Sequence, residues 1–180
     1  MARFAPEESN GRNGMMAPES TPRVYELSAA EQFVVWSSRH YLWSALREKE
    51  APDFVYLAFE NAGIDFLYYS LDRMLVCLLA APRKAITVHD VRCHCLAHHE
   101  RALLAALERL QANDDAGFSG AMSGIMPPSA VSVAAPAMKL LAAGMMRLKA
   151  EQLSWLTAGY ESPNETGRER YPACQGRTIN

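Results

Sequence analysis

The sequence holds no long apolar run. Its longest candidate, roughly residues 131–146, is broken by Pro136 and Lys139. A helix that spans a bilayer needs about 20 mostly apolar residues, so no membrane association is expected. The first thirty residues also lack the apolar stretch of a signal peptide. Positive charge is not in excess: 18 Lys and Arg face 20 Asp and Glu, for a formal net charge of -2. Binding to nucleic acid usually calls for a basic face or stripe, whereas Arg147, Lys149, Arg168 and Arg170 are scattered. No nucleic-acid partner is expected. Cysteine is scarce, and four in 180 residues are too few for a disulfide scaffold. Together these absences point to a soluble cytoplasmic protein whose thiols stay reduced.

Catalytic signatures are missing as well. Gly117, Gly120 and Gly124 follow no strand pattern, so they do not form a phosphate-binding loop. Ser, His and Asp occur without a nucleophile elbow or other triad context. No catalytic residue is assigned, and a non-enzymatic role is expected.

What the chain does have is helical periodicity. Its length suits one domain with a substantial core. Residues 1–26 and 159–180 are rich in Gly, Asn, Pro, Ser and Glu without periodicity and are expected to be disordered tails. Asn164-Glu165-Thr166 fits a glycosylation acceptor, a pattern without meaning in a cytosolic tail. Residues 27–158 form the expected helical domain.

Ser28-Ala29-Ala30-Glu31 is a capping-box pattern. Val35, Trp36, Arg39, Leu42, Trp43 and Leu46 follow at helical spacing, with Lys49 in the last turn. A second helix is expected from Pro52 to Pro82, kinked or broken at Gly63. The partly β-branched stretch 85–91 reads as irregular. A third helix is expected over about 96–112, a short one over 116–126, and a last one over about 131–158, where Gly144 permits close helix approach. The fold class is therefore all-α, a single-domain bundle of four to five helices.

The densest chemistry lies in His89 to Glu100. Those twelve residues hold four of the five histidines and two of the four cysteines. Cys, His and carboxylate bind transition metals and run nucleophilic chemistry. If the segment is helical, the pairs His89/Cys93, His94/His98 and Cys95/His99 are each four apart and face one way. If it is a loop feeding a helix, Cys93 and Cys95 point to one side of an extended backbone and His98 and His99 lie in the first turn. His89, Cys93, Cys95, His98 and His99 are thus the candidate metal ligands, with zinc or another transition metal as the cofactor of that reading. The plainer reading has no cofactor and treats the cysteines as small buried hydrophobes. Cys77 lies in an apolar helix and Cys174 in the tail.

His98-His99-Glu100 resembles the hemerythrin-like helical bundles over three residues, but neither His-x3-Glu nor Glu-x-x-His occurs. The stretch Pro82–Gln111 joins a loop bearing Cys-x-Cys-Leu to a Leu-rich helix with Glu100 and Gln111. It resembles small all-helical bacterial proteins of unknown function, a resemblance that implies a helical fold and no activity.

Other groupings read as structure. Glu60, Asp65 and Asp72 fit a solvated face, and Met122, Met126, Met138, Met145 and Met146 fit core filling or an adaptable binding surface. Apolar residues on adjacent faces, as at Tyr68-Tyr69 and Leu78-Leu79, exceed what one core needs. The leading expectation is protein–protein interaction, through another protein or a homo-oligomer. The alternative is a metal-binding or thiol-redox-sensing protein built on the Cys93/Cys95/His cluster.

Overall fold

A computed structural model of the chain describes residues 22–47, 49, 52–157 and 176–179. Of the expected tails, residues 1–21, 159–175 and 180, with the Asn164 triplet and Cys174, lie outside the described residues.

The described residues are mostly helical. In chain order they form α1 (Ala29–Ala45), α2 (Asp53–Asn61), α3 (Phe66–Ala80), β1 (Ile86–His89), α4 (His98–Gln111), α5 (Asp115–Ser123), α6 (Pro128–Met145), α7 (Ser154–Thr157) and β2 (Gly176–Ile179). Among them, no single helix is long and apolar enough to cross a membrane.

Local chemistry sets the helix ends. Ser28 caps α1: its Oγ accepts from the Glu31 amide at 3.3 Å, while the Glu31 carboxylate accepts from the Ser28 amide at 2.8 Å. Gly63 ends α2 in the left-handed region, at φ 71°. Its amide donates to Glu60 O and the Ile64 amide to Phe59 O, both at 2.9 Å, which satisfies two terminal carbonyls of α2. Gly63 is thus a full break between two helices. Pro82 follows the end of α3, as expected.

Three expectations are corrected. First, the last helix stops at Met145; the chain turns at residues 146–147 and resumes as a 3-10 turn, Ala150–Leu153, leading into α7. By contrast, Pro136 sits inside α6 without ending it. Second, the fold is not purely helical. Residues 86–89, read as irregular, are a strand that pairs antiparallel with β2, a segment expected to be disordered. Ile86 and Val88 are buried and alternate with half-buried neighbours, so a short two-sided strand is stabilised by tertiary packing. Third, part of the N-terminal tail is ordered. Val24–Glu26 forms a 3-10 turn in which Val24 is fully buried and its amide donates to His94 O at 2.9 Å.

The core lies between α3 and α6, with α4 packed on α5 and α6. Leu67, Leu71, Met74 and Leu75 of α3 are fully buried, as are Ala134 and Met138 of α6. A Cβ on Gly144 would overlap the Leu67 side chain, so glycine sets this approach. Met122, Met126, Met138 and Met145 fill the core, whereas Met146 is exposed.

Candidate functional site

α1 carries Arg39 into the interior. Its position in an apolar helical stripe buries it completely. A buried guanidinium is costly unless every donor is satisfied, and here five hydrogen bonds engage its five N–H groups. Nε donates to Glu100 Oε1 at 2.7 Å and Nη2 to Glu100 Oε2 at 2.9 Å. Nη1 donates to the carbonyls of Asp90 and Cys93 at 3.2 and 2.6 Å, and Nη2 to that of Cys95 at 2.6 Å. One side chain therefore fixes the loop between β1 and α4 at three points.

Glu100 completes the knot from α4. Its Oε2 also accepts from the Ala97 amide at 2.9 Å, capping the helix. Burial pushes its carboxyl up, but the hydrogen bonds and charge of Arg39 outweigh that and hold it below the usual carboxylate range. Trp43 closes the other side by donating Nε1 to His89 O at 2.9 Å, with the guanidinium groups of Arg47 and Arg177 over its ring.

The segment is a strand, a loop and a helix start, so of the two geometries left open by the sequence the loop feeding a helix is found and the continuous helix is not. His98 and His99 lie in the first turn of α4. His99 is buried, and neither ring nitrogen has a hydrogen-bond partner among the described residues. Burial, only partly opposed by Glu100, lowers its pKa to about 4. His98 is half-buried and also lowered, by burial and then by Lys84 and Arg101. His94 is lowered by burial, then by Arg23 and Arg39, and its ring meets Tyr25 edge-on. His89 Nδ1 lies 3.0 Å from Cys95 O; a carbonyl only accepts, so Nδ1 is the protonated nitrogen.

The two cysteines differ. Cys95 carries a thiol and is half-buried, and Arg23 Nη1 donates to its Sγ at 3.1 Å. Cys93 is buried and disulfide-bonded. That corrects the expectation of uniformly reduced cysteines: spacing along the chain does not reveal which sulfurs a fold joins. The Cys95 amide donates to Cys93 Sγ at 3.4 Å. Among the described residues no three His, Cys, Asp or Glu side chains come together as a metal-binding group. Of the five residues singled out in the sequence, His89 ends β1, Cys93 and Cys95 lie in the loop, and His98 and His99 open α4.

Sequence reasoning passed over Arg39 and the capping role of Glu100. The signal was available in part: a lone arginine in an apolar stripe requires a buried partner. Of the acidic strip, Asp72 accepts from the Tyr41 hydroxyl at 2.6 Å, whereas Glu60 and Asp65 are exposed.

A second feature lies on the helical body. α3 buries one face yet exposes Phe66, Tyr69 and Val76 at 53, 65 and 45 %, and α6 exposes Val133 and Leu140 at 53 and 59 %. No family model, curated protein or solved structure matches the chain.

Proposed function

We propose that the helices form a bundle that acts as a non-enzymatic association module, binding a second copy of itself through the outward faces of α3 and α6. The observation that supports this reading is apolar exposure on two helices whose opposite faces already fill the core. A solvated helix presents polar residues outward, and exposed apolar patches mark interaction surfaces. A stable interface buries roughly 1,200–2,000 Å² in total.

Sedimentation across the micromolar range tests this. The wild-type chain is expected to dimerise, and Val76→Asp and Leu140→Asp to give folded monomers. A strict monomer at high concentration sinks self-association.

A second reading is a thiol-responsive protein, favoured by a disulfide at Cys93 beside a Cys95 thiol that Arg23 engages. Quantifying thiols in protein alkylated without reductant tests it. All cysteines reacting as thiols would end that reading.

A further inference from the structure

β1 and β2 are held in unlike ways. β1 is built into the body: Ile86 and Val88 are buried in the core, and the strand packs on α1 and α4. Trp43 donates Nε1 to His89 O at 2.9 Å, and His89 Nδ1 donates to the Cys95 carbonyl that Arg39 also grips. None of those contacts involves β2, so the edge of β1 keeps its shape without it. β2 lies on that edge. Gly176, Arg177 and Thr178 are exposed, and Ile179 is half-buried. A ribbon this short is marginal by itself, and exposed, thinly packed segments open first.

The face that β1 offers is selective. Opposite residues of an antiparallel pair share a face, and the register sets Gly176 by His89, Arg177 by Val88 and Ile179 by Ile86. A Cβ on Gly176 would overlap the Thr87 side chain and press on the His89 ring, so this position takes glycine. The Arg177 guanidinium carbon lies 5.2 Å from the Trp43 ring centre, which makes that ring a seat for a cation. Ile179 packs against the core, a seat for an aliphatic side chain.

We propose that the β1 edge and Trp43 form an acceptor for an extended segment of another protein with the pattern Gly-Arg-x-aliphatic, and that β2 occupies it in cis as a built-in competitor. Main-chain pairing gives affinity and the three seats give specificity, the mode in which a peptide adds a strand to a sheet edge. The acceptor is already shaped, so little freedom is lost in ordering it. This surface is distinct from the outward faces of α3 and α6 and does not depend on them. A second copy is the poorer occupant. It brings the same four-residue grip as β2 but lacks the tether, which holds β2 at an effective concentration on the order of millimolar.

The test is titration by fluorescence anisotropy with a labelled peptide, Gln-Gly-Arg-Thr-Ile-Asn, the sequence at residues 175–180. In the full chain, Gly176→Val drives the chain's own strand off the edge, and this variant is expected to bind the peptide at micromolar concentration. Wild type is expected to bind about tenfold more weakly, because β2 leaves the edge free only part of the time. Changing the peptide's glycine to valine is expected to abolish binding. Changing its arginine to alanine is expected to weaken binding about threefold, the scale of an exposed cation–π contact. Ser-Gly-Arg-Ser-Leu-Ser, which shares only the pattern, is expected to bind both chains. No binding to folded Gly176→Val at millimolar peptide removes the acceptor. Binding to Gly176→Val with none to wild type makes β2 a fixed part of the fold and overturns the proposal, as does failure of the pattern-only peptide. In chains that also carry Val76→Asp and Leu140→Asp, a mixture with and without Gly176→Val is expected to sediment as monomers. A mixed dimer would assign the edge to a second copy and overturn this occupant. If Gly176→Val fails to fold by circular dichroism, titration of the wild type with the glycine and valine peptides decides.

Discussion

The loop around Arg39 and the seam between α3 and α6 are both buried, yet they are stabilised by opposite means. The seam is apolar, holds no ionisable group among its fully buried side chains, and is limited only by how closely Gly144 lets Leu67 approach. The loop is polar, and its stability depends on pairing one guanidinium with a carboxylate and three carbonyls. An apolar seam loses stability in proportion to lost contact area. A polar knot fails abruptly, because removing one partner leaves the others buried and unpaired.

The largest expected effect follows from that asymmetry. Arg39→Ala strands the Glu100 carboxylate and three loop carbonyls, and is expected to destabilise the fold by about 3–5 kcal/mol, the cost of breaking a buried pair. Glu100→Gln, which keeps an acceptor for Ala97, is expected to cost less. Chemical denaturation of both variants checks this ordering, and a mild loss for Arg39→Ala would erase the contrast.

Acid sharpens the same comparison. The folded pKa of His99 lies below its ordinary value, so the stabilisation is complete above pH 6.5 and is lost as pH falls from 6.5 towards 4. At 1.36 kcal/mol per pH unit this is roughly 3 kcal/mol. Glu100, also lowered, adds a second loss as pH falls below its ordinary 4.5 and through its folded value. Melting temperature measured against pH is expected to fall below 6.5 in the wild type. In His99→Leu the limb between 6.5 and 4 is expected to become shallower, His40, His94 and His98 still contributing to it, while the Glu100 limb remains. An unchanged slope in that variant would remove His99 as the cause.

The smallest effect belongs to the seam. Gly144→Ala forces its new methyl into Leu67, with an overpacking cost of about 1–3 kcal/mol. Alanine returns roughly 1 kcal/mol of helix propensity, so the net loss is small and independent of pH. Pairing Gly144→Ala with Leu67→Ala is expected to recover part of the overpacking cost. Thermal melts of both variants at two pH values check these statements.

Features that depend on near neighbours were legible in the sequence. The Ser28–Glu31 box, the break at Gly63, the stop at Pro82 and the close approach at Gly144 each follow from one residue type and its immediate surroundings. Features that depend on distant partners were not. Arg39 and Glu100 lie on different helices, and neither residue signals the other in sequence. β1 has four residues, too few for alternation to stand out, and its partner lies in a Gly- and Pro-rich stretch that reads as disordered. The loop between β1 and α4 was located by its density of Cys and His, yet its geometry comes from an arginine outside that stretch. The long last helix was overextended because 146–150 has no proline or glycine to mark the turn.

The pairing of β1 with β2 also bears on the order of folding. Helices close contacts three or four residues apart, whereas this pair joins His89 to Gly176 across everything from α4 to α7. The entropy lost in closing a loop grows with its length, and long-range pairings form slowly. The helices are therefore expected to assemble first and the two strands to zip together last. Trp43 is placed to report that event. Its ring lies 5.2 Å from the Arg177 guanidinium carbon of β2, and its Nε1 is bonded to His89 at the end of β1. Trp36 and Trp155 meet edge-to-face elsewhere, at 5.3 Å between ring centroids. A slow fluorescence phase that vanishes in Trp43→Phe would time the arrival of the final strand.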